Sequence, residues 1–236
     1  MPEACIAFRN FSYTYEDGDG TCALTDVTLS IARGESVGLI GHNGSGKSTL
    51  LMHTVGILEP DSQVTVSGLP VTRENLKTIR RRVGYVFQNP RDQLFMSTVA
   101  EDVAFGPLNL GMSGAEALAA ADKALALVGL EGFDERTPYH LSGGEMRRAS
   151  IATVLSMSPD IVVMDEPSSG LDPRAKRELA ALIFSLSCTR LISSHDLDFI
   201  RGCTDRVILL NHGRIVADGP AGEILGDKGM LEGNGL

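Results

Sequence analysis

The sequence predicts an α/β fold with a mostly parallel sheet and helices on its faces. Three observations carry that prediction. Short β-branched or apolar runs alternate with segments of helical spacing along most of the chain. The run Ile161 to Met164 is apolar throughout, as a strand buried on both faces must be. The first third departs from the alternation, with hairpin-like strands around the turn-forming stretch 16–20, which points to an antiparallel β subdomain joined to the α/β core.

In chain order, strands are expected at 5–8, 27–31, 36–41, 64–68, 83–88, 160–165, 189–194 and 206–211. Helical spacing covers 46–57, 114–128, 143–157 and 173–186. The middle, roughly 89–140, has no obvious strand and reads as loop and helix, so a helical subdomain over about 89–155 is expected inside a single domain spanning 1–236. The last eleven residues, 226–236, offer little to bury and are expected to fray.

With 236 residues and 25.1 kDa the chain is long enough for a substantial core. Its formal net charge of −9 argues against a nucleic-acid backbone as partner, because that attraction needs clustered cations. The one basic run, Arg80 to Arg82, reads as a solvated helix end. Four cysteines without metal-ligand spacing suit a reducing compartment. The start has no signal-peptide pattern, and no apolar stretch is long enough to cross a bilayer as a helix.

The sharpest motif follows the apolar strand 36–40. Gly41, Gly46, Lys47 and Ser48 fit G-x-x-x-x-G-K-[ST], a phosphate loop between a strand and a helix. Glycines are needed there so that backbone N–H groups converge on phosphate oxygens without a Cβ in the way. The helix start adds partial positive charge and Lys47 a full one. Gly41, Asn43, Gly44, Ser45, Gly46, Lys47, Ser48 and Thr49 are therefore candidate nucleotide contacts, with the Ser48 hydroxyl for Mg²⁺. A metal so held needs a carboxylate nearby, and Asp165 ends a buried strand. Glu166 follows it and should point elsewhere, toward an attacking water. Together these residues indicate nucleotide hydrolysis.

Leu141 to Glu145 open a further helix. Ser142 can cap it, with Glu145 completing a capping box, and Gly143 and Gly144 leave the helix amides accessible to an anion. This "LSGGE" string resembles the signature of the ATP-binding cassette family, and the resemblance covers nearly the whole chain. It implies that Ser142, Gly143 and Gly144 contact ATP held on the Lys47 of a second cassette, so that two cassettes sandwich two nucleotides. The resemblance assigns Gln88 to the loop that approaches metal and water, Asp172 to the dimer contact and His195 to the γ-phosphate. It assigns Tyr15 to stacking on adenine, with Tyr13 as the competing choice. The departures from the family pattern at His42, Ser168 and Ser169 leave the implied hydrolytic set, Lys47, Gln88, Glu166 and His195, intact.

The stretch after Gln88, "QNPRDQLF" at 88–95, looks like the version in energy-coupling factor transporters, including the cobalt, nickel and biotin systems. That resemblance implies a transmembrane coupling subunit, through it a substrate-binding membrane subunit, and a peripheral place on the cytoplasmic face of the cell membrane. Asp92 is then an acidic receptor for an arginine, with Leu94 and Phe95 as apolar anchors. A simpler alternative folds Phe95 into the core. The short tail after 225 favours the cobalt, nickel or biotin type and a homodimer; a heterodimer, another vitamin importer and a soluble non-transport cassette ATPase stay open.

Overall fold

The computed structural model describes residues 4–16, 20 and 22–236. Chain order runs β1 (Ala4–Thr14), β2 (Cys22–Ala32), β3 (Ser36–Ile40), α1 (Lys47–His53), β4 (Val64–Val66), β5 (Leu69–Pro70), α2 (Leu76–Arg82) and β6 (Val83–Val86). Then come α3 (Val99–Asn109), α4 (Gly114–Leu127), α5 (Gly143–Leu155), β7 (Ile161–Asp165), α6 (Pro173–Ser185) and β8 (Thr189–Ser193). The chain continues through α7 (Leu197–Cys203), β9 (Arg206–Asn211), β10 (Arg214–Pro220), α8 (Ala221–Ile224) and α9 (Lys228–Gly233).

Two sheets form. The antiparallel one has order β2-β1-β4-β5, and its β1–β2 pairing places the expected antiparallel unit at the start of the chain. Most of the turn expected around 16–20 lies outside the described residues. The larger sheet has order β10-β9-β3-β8-β7-β6, parallel except for β10.

Alternation of side chains across this second sheet divides the core in two. Ile40, Val86, Val162, Met164, Ile192, Val207 and Leu209 join one cluster, with α5, α6 and α7. Val37, Leu39, Val83, Ile161, Val163, Leu191, Ile208 and Leu210 join the other, with the antiparallel sheet. Both faces are covered, which explains why the central strands read as continuous apolar runs. Gly38 lets α7 lie close on β3, since a Cβ there would come 2.6 Å from Ile200 Cγ2.

Several expectations need correction. The strand at 83–88 stops at Val86, which leaves Phe87 and Gln88 in a loop. β10 was missed because every second residue is exposed and the run carries Asp218, Gly219 and Pro220, a turn signal by composition. The terminal stretch 226–236 is not frayed. Asp227 caps α9 through Met230 N, Leu231 is buried, and Leu236 packs against the core. The Arg80–Arg82 run does form an exposed helix end, with Arg80 donating to the Val55 and Gly56 carbonyls.

His53, at the end of α1, is 1% exposed between the rings of Phe11 and Tyr13, at centroid distances of 4.7 and 4.5 Å. Burial pushes its imidazole down to about 4. The unfolded chain therefore binds a proton that the native protein refuses between the ordinary histidine value of about 6.5 and that depressed value. Native stability is expected to fall as pH drops through this window, and His53→Phe to flatten the fall, as read from urea midpoints against pH.

Candidate functional site

β3 delivers the chain to the phosphate loop, and α1 begins at Lys47 directly after Gly46. Gly46 has φ 105, and a Cβ on it would come 2.6 Å from the Ala23 carbonyl oxygen. Only glycine fits that turn. Lys47 is 6% exposed, and its ammonium donates to the Gly41 and His42 carbonyls at 2.8 and 3.2 Å. Burial lowers its proton affinity, opposed by Glu166 and Asp165.

A cleft of about 420 Å³ opens over this loop, lined by Tyr15, Asn43, Gly44, Gly46, Lys47, Ser48, Thr49, Gln88 and Glu166. An adjoining hollow of about 550 Å³ shares Ser48 and Gln88 with it and adds Asp165 and Arg147. Gly41 and Ser45 are buried behind the loop rather than on the cleft wall. Tyr15 borders the cleft and its hydroxyl lies 2.9 Å from Thr49 Oγ1, whereas Tyr13 packs edge-on between Tyr15 and His53.

The two adjacent acids diverge as expected. Asp165 ends β7 and accepts from Ser193 Oγ at 2.6 Å. Glu166 takes a left-handed backbone, φ 45, held by its N–H on the Ser193 carbonyl and hydroxyl. Its Oε2 lies 2.8 Å from His195 Nδ1, while Oε1 is buried, has no hydrogen-bond partner and faces Lys47 Nζ at 3.7 Å. A buried carboxylate oxygen without a hydrogen bond beside the phosphate loop costs stability and is free to act on a third group.

Among the described residues no cluster of His, Cys, Asp and Glu forms a metal cage. At the shared wall Ser48 and Gln88 offer a hydroxyl and an amide, and Asp165 adds a carboxylate from the second hollow. Hard oxygen donors in that small number fit Mg²⁺, which is usually completed by substrate phosphates and water.

Ser142, Gly143 and Gly144 are elsewhere, in a hollow of about 770 Å³ that they share with Asp172. The capping box is present: Glu145 N donates to Ser142 Oγ and Ser142 N to Glu145 Oε2. Asp172 caps α6 by accepting from Arg174 N and Ala175 N. A Cβ on Gly143 would meet nothing within 4 Å. The chain's own packing therefore does not require glycine at that position.

Sequence reasoning missed three supports. Ser193 holds both acids at once, an ordinary serine in a strand end. Arg147, 2% exposed and lowered by burial to about 10, donates to the Phe87 and Gln88 carbonyls and so fixes the loop that carries Gln88. Gln93 ties the same loop to α5 through Ser150 O and Thr153 Oγ1. The adjacent arginines Arg147 and Arg148, just ahead of the mostly apolar run Ile151 to Leu155, were the available signal for the second.

In the stretch 88–95 the two apolar anchors separate. Leu94 is buried at 3% and belongs to the core, so its expected role as a surface anchor is withdrawn. Phe95 is 56% exposed, which overturns the alternative of a core phenylalanine. Asp102 accepts from Phe95 N and Met96 N, which turns the chain so that Leu94 faces in and Phe95 out. Phe95 meets Phe105 edge-on at 5.2 Å, and Asp92 accepts from Asn89 Nδ2.

Residues 24–169, including the phosphate loop, Gln88, the signature glycines and both acids, match the ABC transporter family. The chain belongs to that family as one of its ATPases. The energy-coupling factor transporter ATP-binding protein EcfA of Methanothermobacter thermautotrophicus is 45% identical over 232 residues, covering 96% of this cassette and 74% of the relative. The structure of cbiO1 from Clostridium perfringens, part of the ABC transporter complex cbiONQ, superposes with a TM-score of 0.85 at 33% identity, covering 98% of this cassette and 94% of that chain. The post-hydrolysis dimer of the cassette MJ0796, bound to ADP and Pi, gives 0.82 at 30% identity, covering 92% and 98%. This cassette binds ATP, as its family does, and no helix among its described residues is long and apolar enough to cross a membrane.

Proposed function

We propose that this ATPase powers a membrane importer of the energy-coupling factor type, with cobalt or nickel ions as cargo. The observation that carries the reading is the separation of the site into two faces. The phosphate loop, Gln88 and both acids share one pair of adjoining hollows, while Ser142 to Gly144 line another. A triphosphate on Lys47 is completed by the signature glycines of a second copy, so ATP binding closes a homodimer and hydrolysis reopens it. The resemblance to the EcfA and cbiO1 chains supports the importer type.

In this reading the loop amides and Lys47 neutralise the β- and γ-phosphates. Tyr15 offers its exposed ring to adenine. Ser48, Gln88 and Asp165 hold Mg²⁺, which when bound neutralises charge developing on the transferred phosphoryl group. Glu166 orients the attacking water or accepts its proton through Oε1, the oxygen without a hydrogen-bond partner. His195, half-exposed and braced on Oε2, swings to the γ-phosphate when the dimer closes. Residues 89–155 act as a helical subdomain that carries the signature, and Arg147 links it to Gln88.

Phe95, Phe105, Leu108 and Met112 expose apolar side chains between the loop after Gln88 and the end of α3. This patch receives the coupling helices of the transmembrane subunit, with Asp92 at its rim, and places the ATPase on the cytoplasmic face of the membrane. The test is to tag the chain in its native cell, solubilise membranes gently and identify what co-purifies. A polytopic membrane protein with basic cytoplasmic helices is expected, and its companion subunit identifies the cargo; a biotin or other vitamin binder there replaces the metal assignment. Recovery of the chain in the soluble fraction, with soluble partners only, rejects the importer. Phe95→Glu is expected to leave the ATPase rate of the isolated chain within about twofold while reducing recovery of the membrane subunit at least about tenfold, a typical hot-spot loss.

A further inference from the structure

His42 stands in the phosphate loop, half-buried, and the mechanism leaves its ring without a role. Its Nδ1 lies 2.7 Å from the Asn43 carbonyl oxygen, and its Nε2 lies 2.9 Å from Asn211 Oδ1 at the end of β9. Asn211 Nδ2 lies 2.7 Å from Asn234 Oδ1, and Asn234 Nδ2 lies 2.7 Å from the Met230 carbonyl oxygen in α9. The chain of contacts therefore has a backbone carbonyl at each end.

Carbonyl oxygens only accept, and this fixes every direction between them. Met230 O takes a hydrogen from the Asn234 amide NH₂, which turns the Asn234 carbonyl toward Asn211. Asn211 must answer with its own NH₂, which turns its carbonyl toward His42, so Nε2 donates. At the other end Nδ1 must donate to Asn43 O. A neutral imidazole carries one N–H, so only the imidazolium makes all four bonds at once.

We infer that His42 is held as an imidazolium that ties the phosphate loop to α9, and that Asn211 and Asn234 are positioning residues for the nucleotide. The coupling reaches the loop backbone because the His42 carbonyl is itself an acceptor for Lys47 Nζ. The chain just beyond α9 lies against His42, with a Cβ on Gly235 falling 3.8 Å from His42 Cβ. The titratable or charged groups set against His42 are Lys47 from α1 and His212 from the β9–β10 turn, ring centroids 5.0 Å apart. Among the described residues no carboxylate pairs with it. The cation is therefore not neutralised locally and adds to the positive potential at the loop. Loss of the proton removes one donor, so one link must open. The complete tie therefore requires both ring protons, and removal of either one opens it. Its effect on ATP rests on the nucleotide reading of the loop; the protonation state does not.

The test uses the full chain in two measurements. Ring ¹⁵N spectra are recorded from about pH 5.5 to about pH 8.5, across the ordinary histidine range, with His42 assigned by the signals lost in His42→Gln. The expected result is a doubly protonated His42 at the low end and a deprotonation step that moves the Asn234 side-chain amide with it. A His42 that is neutral throughout, or that titrates without moving Asn234, overturns the inference. In parallel, KM for ATP is followed in the wild type and in Asn234→Leu. The wild-type KM is expected to rise roughly 3–10-fold over the step at constant kcat, within the worth of one charge-assisted bond. Asn234→Leu should hold the higher value throughout. Equal pH profiles in the two proteins reject the positioning role. Failure to bind ATP alongside a cationic, Asn234-coupled His42 rejects the nucleotide reading instead and leaves the tie intact.

Discussion

Glu166→Gln is expected to reduce steady-state ATP turnover by about 10²–10⁴-fold, the usual worth of a positioned general base, while ATP binding survives. The amide has nearly the same volume as the carboxylate, so the 5% exposed pocket needs no repacking. Lys47 keeps its two backbone acceptors, Gly41 O and His42 O, and remains in the cleft to hold phosphate. What the variant loses is the charge on Oε1, the oxygen that no protein group hydrogen-bonds. It also relieves the attraction between Glu166 and Lys47 at 3.7 Å and so frees the ammonium for the triphosphate. The variant should therefore accumulate an ATP-bound dimer, read as a doubled mass in size exclusion with light scattering at saturating ATP. Turnover near the wild-type rate would move the catalytic assignment away from Glu166, and a monomer at saturating ATP would count against closure on nucleotide.

The parts of this site that were legible in the sequence are those whose chemistry is local. The phosphate loop must have glycine where the backbone turns left-handed, as at Gly46, and a capping box must set Ser142 three residues before Glu145. Such constraints sit within one short window and survive without knowledge of the fold. Burial on both faces of the large sheet was equally visible, because it leaves Ile161 to Met164 no polar position. What escaped were contacts across long sequence separations through residues of ordinary type. Arg147 meets Gln88 O from 59 residues away, and Ser193 meets Asp165 from 28. Leu94 and Phe95 show the limit within a single dipeptide. Both are apolar, and only Asp102, seven residues beyond Phe95 and fixed by α3, decides which one faces solvent. The terminal helix α9 was illegible for the same reason: its few apolar side chains suffice because the core already offers a surface for Leu231 and Leu236.

Gly143→Asp is the second large effect, and it separates folding from assembly. The new Cβ would meet nothing within 4 Å, and an acid in the first turn of α5 favours the helix dipole, so thermal stability is expected to hold or rise slightly. ATP binding to the isolated chain should persist, because Gly143 lines a different hollow from Lys47. Turnover is nonetheless expected to fall at least about 10²-fold, the loss seen when one anion-stabilising donor is removed, since a carboxylate now occupies the place proposed for a partner's γ-phosphate. Adding Glu166→Gln should no longer trap a dimer. The decisive arm mixes Gly143→Asp chains with Lys47→Ala chains, each inactive alone. If the site is composite, the mixed dimer pairs the intact Lys47 of one chain with the intact signature of the other and recovers measurable hydrolysis. If each chain builds its site from its own residues, the mixture stays as inactive as its parents, and the open space over Gly143 must serve something other than a second nucleotide-bearing copy.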